Sequence, residues 1–219
     1  VLYQISRGLT RVLGSLCWSW TVRGTANVPR KGGVILASNH QSFLDVAMIA
    51  AACPRPVRYL ARKSLWDDRF LGWIITDWRA IPMDRERPGK EELRGVLETV
   101  RGGEVLALFP EGTRTKDGSV GEMRGGIGFF ARKAGVPVVP VRIRGAFEAW
   151  PRESRLPGRG RVRIAFGRPV LYDESWEDED VAADVRRRIL ALPDGPDVPR
   201  PDPEGGAAAC APRTGEGAA

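Results

Sequence analysis

Residues 33–45 read Gly33-Val34-Ile35-Leu36-Ala37-Ser38-Asn39-His40-Gln41-Ser42-Phe43-Leu44-Asp45, an apolar run that breaks into a polar loop and ends on an acid. The run at 33–38 has the length and bounding residues of a β-strand. Ser42 with Asp45 three residues later resembles a capping box, and it opens a helical stretch through Val46, Ala47, Ile49 and Ala50. A strand, a loop and a helix in that order make the elementary unit of an α/β domain.

The same alternation continues outward. Strand-like runs recur at 57–61, 80–83, 104–109, 137–143 and 161–167. Between them, Leu93, Val96, Leu97 and Val100 mark one helix after Pro88-Gly89, and Gly126 to Ala134 another that stops at Gly135. A last helix spans Asp178 to Leu192, with Val181, Val185 and Ile189 on one face and an acid-rich start suited to a helix N-terminus. The expected fold is therefore α/β: a single layered domain with a central, mostly parallel or mixed sheet flanked by helices.

Two segments flank that domain. Leu2, Ile5, Leu9, Leu13, Leu16 and Trp20 are spaced by three and four, which puts them on one helical face, with Arg7 and Arg11 elsewhere on the wheel. Such a helix either packs on its own domain or lies in a membrane interface, apolar face down and arginines near anionic head groups. From Pro193 onward, 27 residues contain six prolines, five glycines and six alanines, a composition expected to be disordered. The expected division is 1–22 as an N-terminal amphipathic helix, 23–192 as the layered domain and 193–219 as a disordered tail.

Composition narrows the chemistry. With 219 residues, 42% of them hydrophobic, the chain can bury a sizeable core. A formal charge of +7 favours anionic partners such as phosphate-bearing substrates, acidic lipid surfaces or nucleic acid. Cys17, Cys53 and Cys210 lack CxxC spacing, which argues against a disulfide framework or a zinc site. No apolar run approaches the roughly 18 residues expected of a spanning helix. GxSxG and Walker A signatures are absent. Gly126-Ile127-Gly128-Phe129-Phe130-Ala131 formally fits GxGxxA, but a polar loop precedes it, so it reads as a closely packed helix start.

His40 is the chain's one histidine, and Asp45 is the one carboxylate among residues 1–66, which hold nine Lys and Arg. An imidazole is the side chain best suited to move a proton near neutrality. Asp45, in the first turn of a helix, could reach back to the ring and fix its tautomer, or it could merely cap. A second segment, Phe109-Pro110-Glu111-Gly112-Thr113-Arg114-Thr115, follows the strand at 104–109, at the end where open α/β sheets place ligands. Pro110 stops pairing, Gly112 permits close backbone approach, and Arg114 offers a planar fork for phosphate.

Together these blocks resemble the 1-acylglycerol-3-phosphate acyltransferase (PlsC-like) family of glycerolipid acyltransferases. The family shows four ordered blocks, and this chain has counterparts in NHQSFLD with His40 and Asp45, in Ile81-Pro82-Met83-Asp84-Arg85, in FPEGTRT, and in Val136-Pro137-Val138-Val139-Pro140-Val141. Lys63 stands upstream of the second block, where the family often has a lysine. One departure is Trp78-Arg79-Ala80, where the family usually has a glycine, so the acceptor head group stays open.

The resemblance implies a glycerol-3-phosphate acyltransferase-like fold and transfer of an acyl group from acyl-CoA or acyl carrier protein to the 2-hydroxyl of 1-acylglycerol 3-phosphate. The product would be phosphatidic acid, in phospholipid biosynthesis. His40 would be the general base and Asp45 its orienter. Lys63, Arg85, Glu111, Gly112, Thr113 and Arg114 would bind the acceptor. No cofactor or metal is implied beyond the acyl donor, and nucleic acid is not among the implied partners. The resemblance also tips the N-terminal helix towards a peripheral anchor on the cytoplasmic face of the membrane. Within this class the alternative acceptor is another lysophospholipid or a glycolipid; outside it, the alternative is a non-catalytic basic module for acidic lipid or nucleic acid.

Overall fold

A computed structural model describes residues 2–84, 87–151, 154, 158 and 160–193. Seven strands, β1 (Thr21–Arg23), β2 (Val34–Ser38), β3 (Val57–Arg62), β4 (Ile81–Met83), β5 (Val105–Leu108), β6 (Val138–Arg144) and β7 (Arg163–Phe166), form one sheet in the order β1-β7-β6-β2-β5-β3-β4. Every pairing is parallel except β6 with β7. The six strands read from the sequence are all present. The seventh, β1, is three residues long and pairs only at the edge with β7, too short to leave a periodic signal.

Helices cover both faces. The core on one face gathers Met48 and Ile49 of α2 (Leu44–Ala52), Tyr3 of α1 (Leu2–Cys17) and Ala146 and Ala149 of the short α6 (Ala146–Ala149) against Leu36, Val139 and Ile143. The core on the other face packs Val96 and Val100 of α4 (Lys90–Arg101), Ile127 and Ala131 of α5 (Gly126–Ala134), and Val185 and Ile189 of α7 (Asp178–Ala191) against Ile35, Leu106 and Val138. Because both faces are covered, β2 and β5 are apolar at every position but Ser38 and buried throughout. Burying one such Val, Ile or Leu contributes ~1.5–3 kcal/mol. Gly128 is required by this layering, since a Cβ there would meet the Asp178 carbonyl oxygen at 2.3 Å where α5 crosses α7. The GxGxxA stretch is thus a close helix contact. α3 (Arg69–Asp77), between β3 and β4, is an element the sequence reading did not assign.

The N-terminal helix ends sooner than its spacing suggests. It stops at Cys17, because Trp18 bridges to Gly160 and its indole N–H donates to the Gly158 carbonyl at 2.7 Å. Trp20 packs on the first core instead of continuing the apolar stripe. Along α1, Tyr3 is buried and its hydroxyl accepts the Val57 amide, while Ile5, Leu9 and Val12 are 59%, 55% and 55% exposed. Arg11 Nε donates to the Ala51 carbonyl at 2.7 Å and Arg7 donates to the Cys53 carbonyl. These arginines therefore turn towards the carbonyls that end α2, which lack helical partners and carry partial negative charge. No described helix is long and apolar enough to cross a membrane. The tail from residue 194 lies outside the described residues.

Candidate active site

The sheet register builds the site. β2 and β5 are parallel neighbours with Ala37 opposite Leu108, so the chain leaves both strands at one level. Three residues on, His40 and Glu111 stand side by side: the His40 amide donates to Glu111 Oε1 at 3.0 Å. The His40 carbonyl accepts the Thr115 amide at 2.9 Å. From there β2 runs into α2 on one face and β5 leads through the loop to α5 on the other, so the two loops bound a crevice at the carboxyl ends of the strands.

His40 Nδ1 lies 2.8 Å from Asp45 Oδ2, with the ring 15% exposed and the carboxylate fully buried. The same oxygen accepts the amides of Gln41 at 2.5 Å and Ser42 at 2.8 Å. Asp45 Oδ2 therefore binds the ring and closes the turn ahead of α2 at once. The helix itself begins two residues after Ser42, whose hydroxyl accepts the Leu44 amide at 3.3 Å and donates to the Trp150 carbonyl at 2.8 Å. Phe109 stacks on the imidazole with ring centroids 4.1 Å apart and planes 21° off parallel. Nε2 of His40 has no hydrogen-bond partner among the described residues.

Around this pair the loops are tied down by side chains the sequence reading had not singled out. Asn39, buried, donates to the Ile143 carbonyl at 2.9 Å and accepts the Ile143 amide at 2.8 Å, extending the β2–β6 ladder by one residue with an amide side chain. Gln41 donates to the Gly118 carbonyl at 2.6 Å. Asp117 gathers the hydroxyls of Ser119 and Thr115 and the Ser119 amide, and these bonds hold its carboxyl down to about 2. Arg186 of α7 donates to the carbonyls of Val120 and Gly121 and fixes the far side of the loop.

The expected binding residues part company here. Arg114 lies over the Phe43 ring at 3.6 Å, beside the crevice. Thr113 is exposed on the same loop, and Gly112 turns it with φ 72°. Glu111 is buried, and its carboxylate faces the amide of His40 instead of open solvent; burial raises its pKa, opposed by the amides of His40 and Gly121. Lys63, two strands from β2 at the carboxyl end of β3, pairs with Glu92, whose other oxygen accepts the amides of Asp84 and Gly89 ahead of α4. Arg85 lies outside the described residues. Arg79 sits in the left-handed region at φ 60° and its guanidinium reaches Glu104 at 2.8 Å, before the amino end of β5 and away from the His40 loop. The chain's departure from the glycine usual at this point is thus accommodated far from the crevice.

A family model described as Acyltransferase matches residues 19–144, from before β1 to the end of β6, and so spans both site loops. The chain belongs to the acyltransferase family. Among relatives of this acyltransferase, the 1-acyl-sn-glycerol-3-phosphate acyltransferase of Bacillus subtilis is 26% identical over 77% of this chain and 82% of its own length. The enzyme of the same name from Pseudomonas aeruginosa is 30% identical over 84% of this chain and 70% of its own. The chloroplastic BAT2 enzyme of Brassica napus is 30% identical, and there the chain spans 49% of the relative's length. The fold is shared with the crystal structure of the 1-acyl-sn-glycerophosphate acyltransferase PlsC of Thermotoga maritima, at a TM-score of 0.71 and 24% identity, covering 86% of this chain and 77% of that one.

One backbone arrangement constrains the acyltransferase's chemistry. The turn at Ser42 carries backbone amides next to His40, the kind of group that stabilises a developing oxyanion. Its amides are largely committed: Gln41 and Ser42 to Asp45 Oδ2, Leu44 to the Ser42 hydroxyl, and Asp45 to the Ser42 carbonyl. Of that turn, the Phe43 amide is left for such a role.

Proposed function

We propose that this acyltransferase moves a fatty acyl group from an acyl-CoA or acyl carrier protein thioester to the 2-hydroxyl of 1-acylglycerol 3-phosphate. The observation that carries the reading is the His40 Nδ1–Asp45 Oδ2 bond of 2.8 Å, which leaves Nε2 as the ring's free nitrogen at the mouth of the crevice. With Nδ1–H donated to Asp45, Nε2 carries the lone pair. It takes the acceptor's hydroxyl proton as that oxygen bonds to the thioester carbon. The tetrahedral intermediate then expels the thiolate, which recovers the proton from the imidazolium. A thioester is already activated, so no acyl-enzyme is required. General-base assistance of this kind is worth ~10²–10⁴-fold.

Arg114, beside His40 on the neighbouring loop, holds the acceptor's phosphate and turns an encounter into a positioned attack. Lys63 contributes only after releasing Glu92. The names of the relatives support 1-acylglycerol 3-phosphate as the acceptor. The exposed row Ile5, Leu9 and Val12 supports a peripheral seat at the cytoplasmic membrane surface, where both acyl-bearing substrates reside.

The test is a panel of lysolipid acceptors with acyl-CoA, with products identified by mass, for wild type and His40→Ala. Phosphatidic acid from the wild type, and a loss of ~10²-fold or more in the variant, is the expected result. A folded His40→Ala protein with near wild-type turnover would falsify the catalytic assignment.

A further inference from the structure

The FPEGTR loop carries a second guanidinium that no block of the family pattern quoted above includes. Arg124 lies ten residues beyond Arg114, yet its backbone amide donates to the Pro110 carbonyl at 3.1 Å, which pins it beside the loop's first turn. Its side chain then folds across Gly112. A Cβ on Gly112 would sit 3.1 Å from both Cζ and Nε of Arg124. The missing side chain of Gly112, with its positive φ, is therefore what makes room for this arginine. Ligand approach was the expected reason for a glycine here; the neighbour that occupies the space is a cation.

Arg124 is exposed, and among the described residues its guanidinium has neither a hydrogen bond nor an ion pair. Of the acids nearby, Glu122 makes no ion pair with Arg124 among the described residues, and three others are accounted for. Glu111 accepts the His40 amide, Asp117 is closed on Thr115 and Ser119, and Glu179 lies against the backbone of Gly125 without reaching Arg124. Several arginines of this chain serve the fold: Arg7, Arg55, Arg101, Arg142 and Arg186 each donate to backbone carbonyls. Arg124 holds nothing, and it is kept over the loop that also carries Arg114.

Resting on the reading of this site as a lysophosphatidate acyltransferase, we propose that Arg124 is a specificity-determining residue that grips the acceptor's phosphate opposite Arg114. A phosphate monoester offers three oxygens and close to two negative charges, more than one guanidinium fork satisfies. Two forks on one loop, one laid over Phe43 and one over Gly112, match that demand. The donor nucleotide also carries phosphates, and the experiment separates the two sources.

Arg124→Ala, Arg124→Gln and Arg124→Lys are compared with wild type in steady state, varying 1-acylglycerol 3-phosphate, then phosphate-free 1-acylglycerol, then acyl-CoA. Arg124→Ala and Arg124→Gln are expected to raise KM for the phosphorylated acceptor by about tenfold or more. Their kcat and donor KM should stay within about threefold, the phosphate-free acceptor should be unaffected, and Arg124→Lys should recover part of the loss. Glycerol 3-phosphate as a competitor should lose potency by the same factor. An unchanged acceptor KM, a rise shared by 1-acylglycerol, or a rise confined to acyl-CoA overturns the proposal. The exposed side chain supports no other group, so folding is retained; Arg124→Gln and Arg124→Lys guard against failure of the Ala variant. A wild type active through His40 with an indifferent Arg124→Ala rejects this inference alone, whereas a wild type inert on every lysophosphatidate rejects the functional reading with it.

Discussion

Asp45 Oδ2 stands 2.8 Å from Nδ1 of His40, and that one buried oxygen also receives the amides of Gln41 and Ser42. A single atom thus sets the ring's tautomer and closes the turn from which the ring projects. Under the proposed mechanism, catalysis and local stability are coupled there. Asp45→Asn is expected to lower kcat by ~10²–10⁴-fold, because an amide nitrogen turned towards the ring selects the wrong tautomer. It should also cost about 1–3 kcal/mol through the disturbed amide bonds. Steady-state rates and urea unfolding of the same preparation check both effects; a variant that loses activity without losing stability contradicts the shared-atom account.

Arg114 and Lys63 are expected to separate in their effects. Arg114 lies on the loop beside His40, while the Lys63 ammonium is already engaged by Glu92 near the start of α4. Arg114→Ala should raise KM for 1-acylglycerol 3-phosphate by about tenfold or more, as loss of a charge-assisted bond does. Lys63→Ala should change it by no more than about fivefold, the range of an exposed ion pair. Titrating the acceptor against both variants decides the order, and equal effects would show that Lys63 leaves Glu92 to meet substrate.

The exposed row on α1 should govern membrane recovery. Ile5→Glu, Leu9→Glu and Val12→Glu together place charge on a face that makes no use of it in the fold, and they are expected to shift the protein into the soluble fraction of a vesicle flotation assay. Arg7→Ala and Arg11→Ala should instead lower the unfolding midpoint, since those side chains serve the carbonyls ending α2. If the arginine variants release the protein from vesicles while leaving stability intact, head-group binding rather than helix capping is their role.

Glu111 gives a pH dependence with a defined sign. Burial raises its folded-state pKa above the ordinary value of 4.5, so the fold favours its protonated form. The stability tied to that form is fully present below 4.5 and is lost as pH rises through the higher folded value. Relative to Glu111→Gln, the wild type should therefore lose stability on going from acid towards neutral pH. Unfolding free energies of the two proteins across that range provide the check; a difference that stays flat or slopes the other way contradicts a raised pKa.

Much of this was legible in the chain. The strand run at 33–38, the helix after Ser42, the Gly135 stop with φ 64° and the alternation around Ile164 all rest on spacing within a few residues, which periodicity reports directly. His40 and Asp45 were close for the same reason: five residues across a helix start leave little freedom. Strand β1 and helix α3 escaped because one is three residues long and the apolar pattern of the other, only nine residues long, is interrupted by Gly72.

The sequence by itself determined the layered α/β class, the order of the blocks and the nearness of the one histidine to Asp45, because each is a local consequence of spacing and residue chemistry. The tertiary structure alone decided that β2 and β5 are neighbours, so that Glu111 meets the His40 amide from 71 positions away. It also decided that Arg7 and Arg11 face α2, that Lys63 belongs to Glu92, that Arg79 reaches Glu104 away from the crevice, and that Arg124 lies over Gly112. Such choices turn on which carbonyl, carboxylate or empty space the packed sheet and helices bring within a few ångströms of a long side chain, and residue spacing carries no record of that.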